Sequence, residues 1–137
     1  MPKPITLSVV APDRSVVEEP VVSVVVPGAE GYFGVLAGHT PLIAALRAGL
    51  VEYEDTGGQR HFVTVSGGFA EVSGERVNLL ADAAERAQEI DVARAERALD
   101  NARKALRGEL SGVTSEEATA ELERAMNRIK AAKIVAR

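Results

Sequence analysis

The chain contains no cysteine, which excludes disulfides, thiolate nucleophiles and zinc–thiolate centres together and suits a reducing compartment. No run approaches the ~20 apolar residues that cross a bilayer. The opening Met1-Pro2-Lys3-Pro4 lacks the apolar core of a signal peptide. The expectation is a chain soluble by itself, with no direct membrane insertion and any membrane association made through a partner. A G-x-x-x-x-G-K-[ST] phosphate loop is absent, as is the G-x-S-x-G serine elbow. His39 and His61 are the only histidines, and neither sits in a metal-ligand motif such as H-E-x-x-H. Structural or surface roles are expected for both, with no catalytic residue and no metal site. A net charge of −4 offers no electrostatic reason to expect nucleic acid as a partner.

What is present is an ordinary globular composition, 46% hydrophobic and 26% charged over 137 residues, enough for one domain or two small ones. The two halves follow different patterns. Up to about residue 81 the chain is rich in Val, Gly and Pro. Ile5, Leu7 and Val9 alternate with their neighbours at a period of two, and residues 21–26 form a β-branched run closed by Pro27-Gly28. Residues 49–54 and 60–66 flank a turn-forming Asp55-Thr56-Gly57-Gly58-Gln59, and residues 69–72 and 77–80 flank Ser73-Gly74-Glu75. Both read as hairpins, and short strands at this spacing predict a sandwich or barrel. Gly67-Gly68 predicts a tight strand connection or a close backbone approach. The segment GVLAGHTP at 34–41 demands either a particular loop path or a contact surface.

From about Asp91 Gly and Pro nearly vanish, and Ala, Glu and Arg dominate. Val92, Ala95, Leu99, Ala102 and Leu106 recur at helical spacing, as do Ala118, Leu122, Ala125, Ile129 and Ala132. Both are narrow seams that pair two helices. Gly108 suits a left-handed helix end, and Thr114 with Glu117 forms a capping-box pattern. In the second helix Glu116, Glu117, Glu121 and Glu123 precede Arg124, Arg128, Lys130, Lys133 and Arg137, the order the helix dipole favours. Residues 1–88 carry six basic and eleven acidic groups, and residues 89–137 ten and nine, so the helical part is charge-dense but nearly neutral. Alanine seams bury little area at about 25 cal/mol per Å². That fits a hairpin tipped between arrangements by a few kcal/mol, and it equally fits a rigid bundle. The expected class is α+β: an N-terminal antiparallel β-sandwich over residues 1–84, then a two-helix antiparallel hairpin over 85–137.

Five blocks occur in order along nearly the whole chain: GYFGVLAGHTPL at 31–42, SGGF at 66–69 followed by Glu71-Val72, LADAAERA at 80–87, IDVARA at 90–95, and RAMNR at 124–128. The first resembles a GxxGVLxGHxPL pattern, and together they resemble the epsilon subunits of bacterial F-type ATP synthases. The resemblance implies a non-catalytic rotor subunit of the central stalk, at the cytoplasmic face of the bacterial cell membrane as a peripheral protein. It implies that the sandwich packs on the gamma subunit and touches the c-subunit rotor ring of a proton-conducting membrane sector. The contact loop would include Glu30, Gly31, Tyr32 and His39. The hairpin would lie against the sandwich or extend toward the alpha/beta catalytic head, restraining ATP hydrolysis through conformation alone.

In some bacterial relatives the motif I/L-D-x-x-R-A helps bind ATP. Carried over by position, Glu85, Ile90, Asp91, Arg94, Arg124 and Arg128 would line that site. No cofactor is required, and ATP is the regulatory ligand suggested. Arginines clamp phosphates through paired charged hydrogen bonds. The plainer reading is that Asp91 is a helix N-cap. A competing reading of the whole chain is a free-standing nucleotide-sensing module, which has no need of a large exposed apolar patch on the sandwich.

Overall fold

The computed structural model describes residues 3–135. Arg137, one of the later cations of the second helix, lies outside them. The chain divides after Arg86 into two compact units.

Among the described residues the first unit holds nine strands: β1 Ile5–Ala11, β2 Arg14–Gly28, β3 Gly31–Val35, β4 Leu42–Leu46, β5 Gly49–Asp55, β6 Arg60–Val65, β7 Gly68–Val72, β8 Arg76–Ala81 and β9 Ala84–Arg86. Their order is β1-β8-β7-β4-β2-β5-β6-β9, with β3 beside β2 and a closing β1–β2 pairing. The long β2 therefore serves both layers of the sandwich. Its first half pairs with β1, and its second half pairs with β3 and β5.

Two register shifts let it do so. Val9 faces Val17 while Val10 faces Ser15, leaving Val16 as an extra residue, and both Val16 and Val17 are buried. Further along, Val21 faces Asp55 and Ser23 faces Glu54. Strict alternation from Val21 would bury positions 23 and 25, but the bulge moves burial to Val24 and Val26. Against these pack Ile5, Leu7 and Val9 of β1, Val51 and Tyr53 of β5, Val63 and Val65 of β6, and Val77 and Leu79 of β8. One pairing departs from the antiparallel pattern: β1 and β8 run parallel. Parallel neighbours need a long crossover, and here most of the unit lies between the two strands.

Both predicted hairpin turns form. The Asp55 carboxylate accepts from the amides of Gly57 and Gln59, each at 2.9 Å, an Asx turn completed by Gly58 at φ +87°. In the second turn the Ser73 amide donates to the Arg76 carbonyl at 2.8 Å. Gly67-Gly68 is a close approach. Gly68 has φ +116°, and a Cβ there would stand 2.0 Å from the Leu80 carbonyl oxygen.

Beyond residue 81 the chain stays with the sheet longer than the expected limit at 84. β9 pairs with β6, matching Thr64 with Glu85 and Val63 with Arg86. Glu85 is thus a strand residue of the first unit, held by backbone pairing that composition did not reveal.

The second unit opens with a 3-10 turn, Ala87–Glu89, which packs on the second of two helices, α1 Val92–Leu106 and α2 Ser115–Val135. Ala95 and Ala102 of α1 and Ala118, Ala125 and Ala132 of α2 are buried, so the predicted seam is made of alanines. Val92 and Leu106 are exposed. As the first and last residues of α1, each has helical neighbours on one side only. The α1 terminus is a Schellman motif: the Gly108 amide donates to Ala105 at 3.1 Å and the Glu109 amide to Lys104 at 2.9 Å, with Gly108 at φ +78°. At α2 the capping box closes both ways. The Glu117 amide donates to Thr114 Oγ1 at 3.1 Å, and the Thr114 amide to Glu117 Oε2 at 3.2 Å.

Gly68→Ala would force a side chain into the β8 backbone at a left-handed position. The expected loss is about 2–4 kcal/mol of sandwich stability, read as a lowered urea midpoint of the β-sheet circular dichroism signal.

Candidate functional site

Asp91 has extended φ and ψ of −81° and 100° and caps α1, its carboxylate accepting from the Arg94 amide at 3.1 Å. The N-cap reading is therefore realised, and it brings Asp91 and Arg94 together through the backbone. The Arg94 side chain is exposed, and Ile90 is half-buried just before the cap. On α2 the Arg124 guanidinium is tied to Glu121 at 2.6 Å. Arg128 stands one turn further along the same face and is half-buried. Glu85 belongs to the other compact unit.

The expected contact residues of the sandwich divide between two ends of β3. Glu30 is exposed in the two-residue turn joining β2 to β3, and Gly31 follows at φ +137°, where glycine costs least. That turn is braced from behind: the Ala29 amide donates to Ala45 at 2.8 Å and the Arg47 amide to Pro27 at 3.0 Å. The Tyr32 hydroxyl accepts from the Leu50 amide at 3.0 Å. A Cβ on Gly49 would lie 2.7 Å from that hydroxyl and 2.5 Å from Pro27, so Gly49 makes room for the brace. His39 lies beyond the far end of β3, about 13 Å of strand away. Its loop follows a defined path, with the Gly38 amide on Gly74 and the His39 amide on Leu36. His39 Nδ1 lies 2.6 Å from the Thr40 carbonyl, which only accepts, so Nδ1 carries the hydrogen.

The structure adds a surface that sequence reasoning missed. Register places Ala45 opposite Phe69, Phe69 opposite Leu80 and Leu80 beside Val10. These four make an outward row across β4, β7, β8 and β1, while their chain neighbours Leu46, Ala70 and Leu79 turn into the core. Phe69 is 58% exposed, Leu80 48%, and Ile43 on the same face of β4 75%. Consecutive apolar residues such as Leu79-Leu80 were the available signal, since a strand with one wet face keeps every second position polar.

Every element of this architecture matches a known family. The ATP synthase delta/epsilon chain beta-sandwich domain matches residues 4–87, and the delta/epsilon long alpha-helix domain matches residues 88–133. The chain belongs to the ATP synthase delta/epsilon family. It is 44% identical over 132 residues to the ATP synthase epsilon chain of Solibacter usitatus, covering 96% of this chain and 98% of that one. Against the epsilon chain of Nitratidesulfovibrio vulgaris it is 45% identical over 130 residues, covering 95% and 96%. A chain of the Euglena gracilis mitochondrial ATP synthase, solved with OSCP, F1 and c-ring, superposes with a TM-score of 0.75 at 28% identity, over 100% of this chain and 84% of that one. A chain of the Tetrahymena thermophila mitochondrial ATP synthase central stalk and c-ring shares the fold at a TM-score of 0.58 and 10% identity, over 96% and 98%. Among the described residues no helix is long and apolar enough to cross a membrane.

Within this delta/epsilon sandwich, His61 has a structural post. Its Nε2 lies 2.8 Å from Asp55 Oδ2, and its ring stacks on Tyr53 with centroids 4.9 Å apart. Burial pushes the Tyr53 phenol up to about 12, helped by a hydrogen bond to Glu19, so it stays neutral. The hydrogen bond from His61, then those from the Gln59 and Gly57 amides, hold the Asp55 carboxyl below its usual value. A depressed folded-state pKa adds stability above the unfolded-state value, and that stability disappears as pH falls through the folded one. The urea-midpoint advantage of the wild type over Asp55→Asn is therefore expected at pH 7 and lost on acidification below the carboxylate range.

Proposed function

We propose that this chain is a non-catalytic central-stalk subunit whose sandwich docks on gamma through the row of Ala45, Phe69, Leu80 and Val10. The observation that carries this reading is the row itself. A contiguous apolar strip left open to water marks an interaction surface, and a free-standing nucleotide sensor has no use for it. The Euglena relative, solved within an F1/c-ring assembly, supports a stalk position. The braced turn at Glu30, Gly31 and Tyr32 is suited to touch the c-subunit ring, because its backbone is anchored on β4 and β5. His39, at the other end of β3, is assigned to the gamma side of the contact. Such a subunit sits at the cytoplasmic face of the bacterial membrane through its partners, in a complex that couples proton flow to ATP synthesis.

In this reading the hairpin restrains hydrolysis by reaching toward the alpha/beta head, and ATP holds it folded. Arg94, Arg124 and Arg128 would take the phosphates, with Ile90 and Asp91 completing the site on the hairpin. ATP must then draw Arg124 from Glu121. An exposed ion pair of this kind contributes only ~0–1 kcal/mol, and a triphosphate offers stronger charge-assisted hydrogen bonds, so the exchange is energetically open.

Two measurements test the two parts separately. Phe69→Asp with Leu80→Asp, on outward positions, is expected to leave the isolated chain folded but abolish co-purification with gamma; retained co-purification would refute the docking face. Calorimetric titration of ATP into the isolated chain is expected to show saturable binding that Arg94→Ala weakens about tenfold, the loss of a charged phosphate contact. Unchanged affinity in that variant would refute the nucleotide site and leave the docking face standing.

A further inference from the structure

The hairpin carries a groove of about 570 Å³ on the face away from Arg124 and Arg128. At 100° per residue those two arginines lie roughly 160–200° around α2 from Met126, which stands at the groove. The floor is apolar, made by Leu99 of α1 with Ile129 and Ile134 of α2. Arg103, Lys130 and Lys133 also line it, and all three are exposed. None of the three makes an ion pair among the described residues, although acids elsewhere on the same helices are paired with Lys104 and Arg124. An apolar trough edged by three cations and, among the described residues, no carboxylate selects one chemistry, a ligand with a hydrocarbon body and an anionic head.

We propose that this groove binds a single-chain anionic amphiphile, of the medium-chain alkyl carboxylate class. The tail would lie along the 126–134 stretch of α2, about 12 Å long, and the carboxylate among Arg103, Lys130 and Lys133. Charge complementarity argues for the head, and the volume falls in the range of small-molecule sites, roughly 300–1,000 Å³. A partner helix would meet only about two turns of wall, far short of the ~800 Å² that each side of a stable protein interface buries. The site shares no residue with the nucleotide reading and does not depend on it.

The test titrates decanoate, kept below its micelle threshold, into the full chain by calorimetry. One saturable site is expected, with decyltrimethylammonium, which has the same tail and the opposite charge, binding at least about tenfold more weakly. Lys130→Glu combined with Lys133→Glu should weaken decanoate by a similar factor, with far-UV circular dichroism confirming the helices. Lys133→Gln, a milder change, should give a smaller loss in the same direction. Equal binding of the two amphiphiles, or unchanged affinity in both variants, would overturn the proposal. A response confined to anionic vesicles would overturn it in favour of a bilayer surface, and one confined to an acidic amphipathic peptide in favour of a partner helix.

Discussion

One strand has to bury a face in both layers of the sandwich, and the rest of the first unit is arranged around that constraint. β2 runs from Arg14 to Gly28, roughly twice the length of its neighbours β1 and β5. A regular strand that long keeps a single inward face. The extra residues Val16 and Val22 reset the alternation twice, so that Val17, Val21, Val24 and Val26 all reach the core. The β2–β3 turn inherits its position from this path. Glu30 stands at the tip because the end of β2 is still held, by β3 through Gly28 and Gly31 and by β4 through Leu46.

The same layer geometry decides what remains exposed. β4, β7, β8 and β1 lie side by side, with Leu46, Ala70, Leu79 and Val9 turned inward. Their outward residues should be polar if the unit worked alone. Instead Phe69 and Leu80 meet directly across β7 and β8, flanked by Ala45 and Val10. Neither residue contributes to the core, and each leaves aromatic or aliphatic surface in water, a cost that the proposed docking on gamma would offset.

In the hairpin the driving force is thinner. The buried positions are nearly all alanine, so the helix axes can approach but little area leaves water. Caps and end motifs then matter more. Asp91, the Thr114–Glu117 box and the Gly108 Schellman turn each satisfy backbone groups at a helix end. Placing the small residues along the seam leaves larger ones such as Met126 outside it, and these line the groove edged by Lys130 and Lys133.

Local chemistry was legible from the chain alone. Period-two and helical spacing, the Asp55 turn, the capping box, Gly108 and the close approach at Gly68 depend on residues near one another in sequence, and each stands where the pattern put it. Asp91 could be read as a cap because an N-cap needs only the next three residues. The bulges of β2, the parallel β1–β8 pairing, the strand at Ala84–Arg86 and the brace from Tyr32 to Leu50 were not legible. Each depends on which distant strand lies alongside, and a one-residue slip in register exchanges the two faces of a strand. For that reason the sequence by itself determined the two hairpin turns, the two helices with their caps, and the family. Only the tertiary structure decided that Ala45, Phe69, Leu80 and Val10, drawn from four separate strands, form one apolar surface.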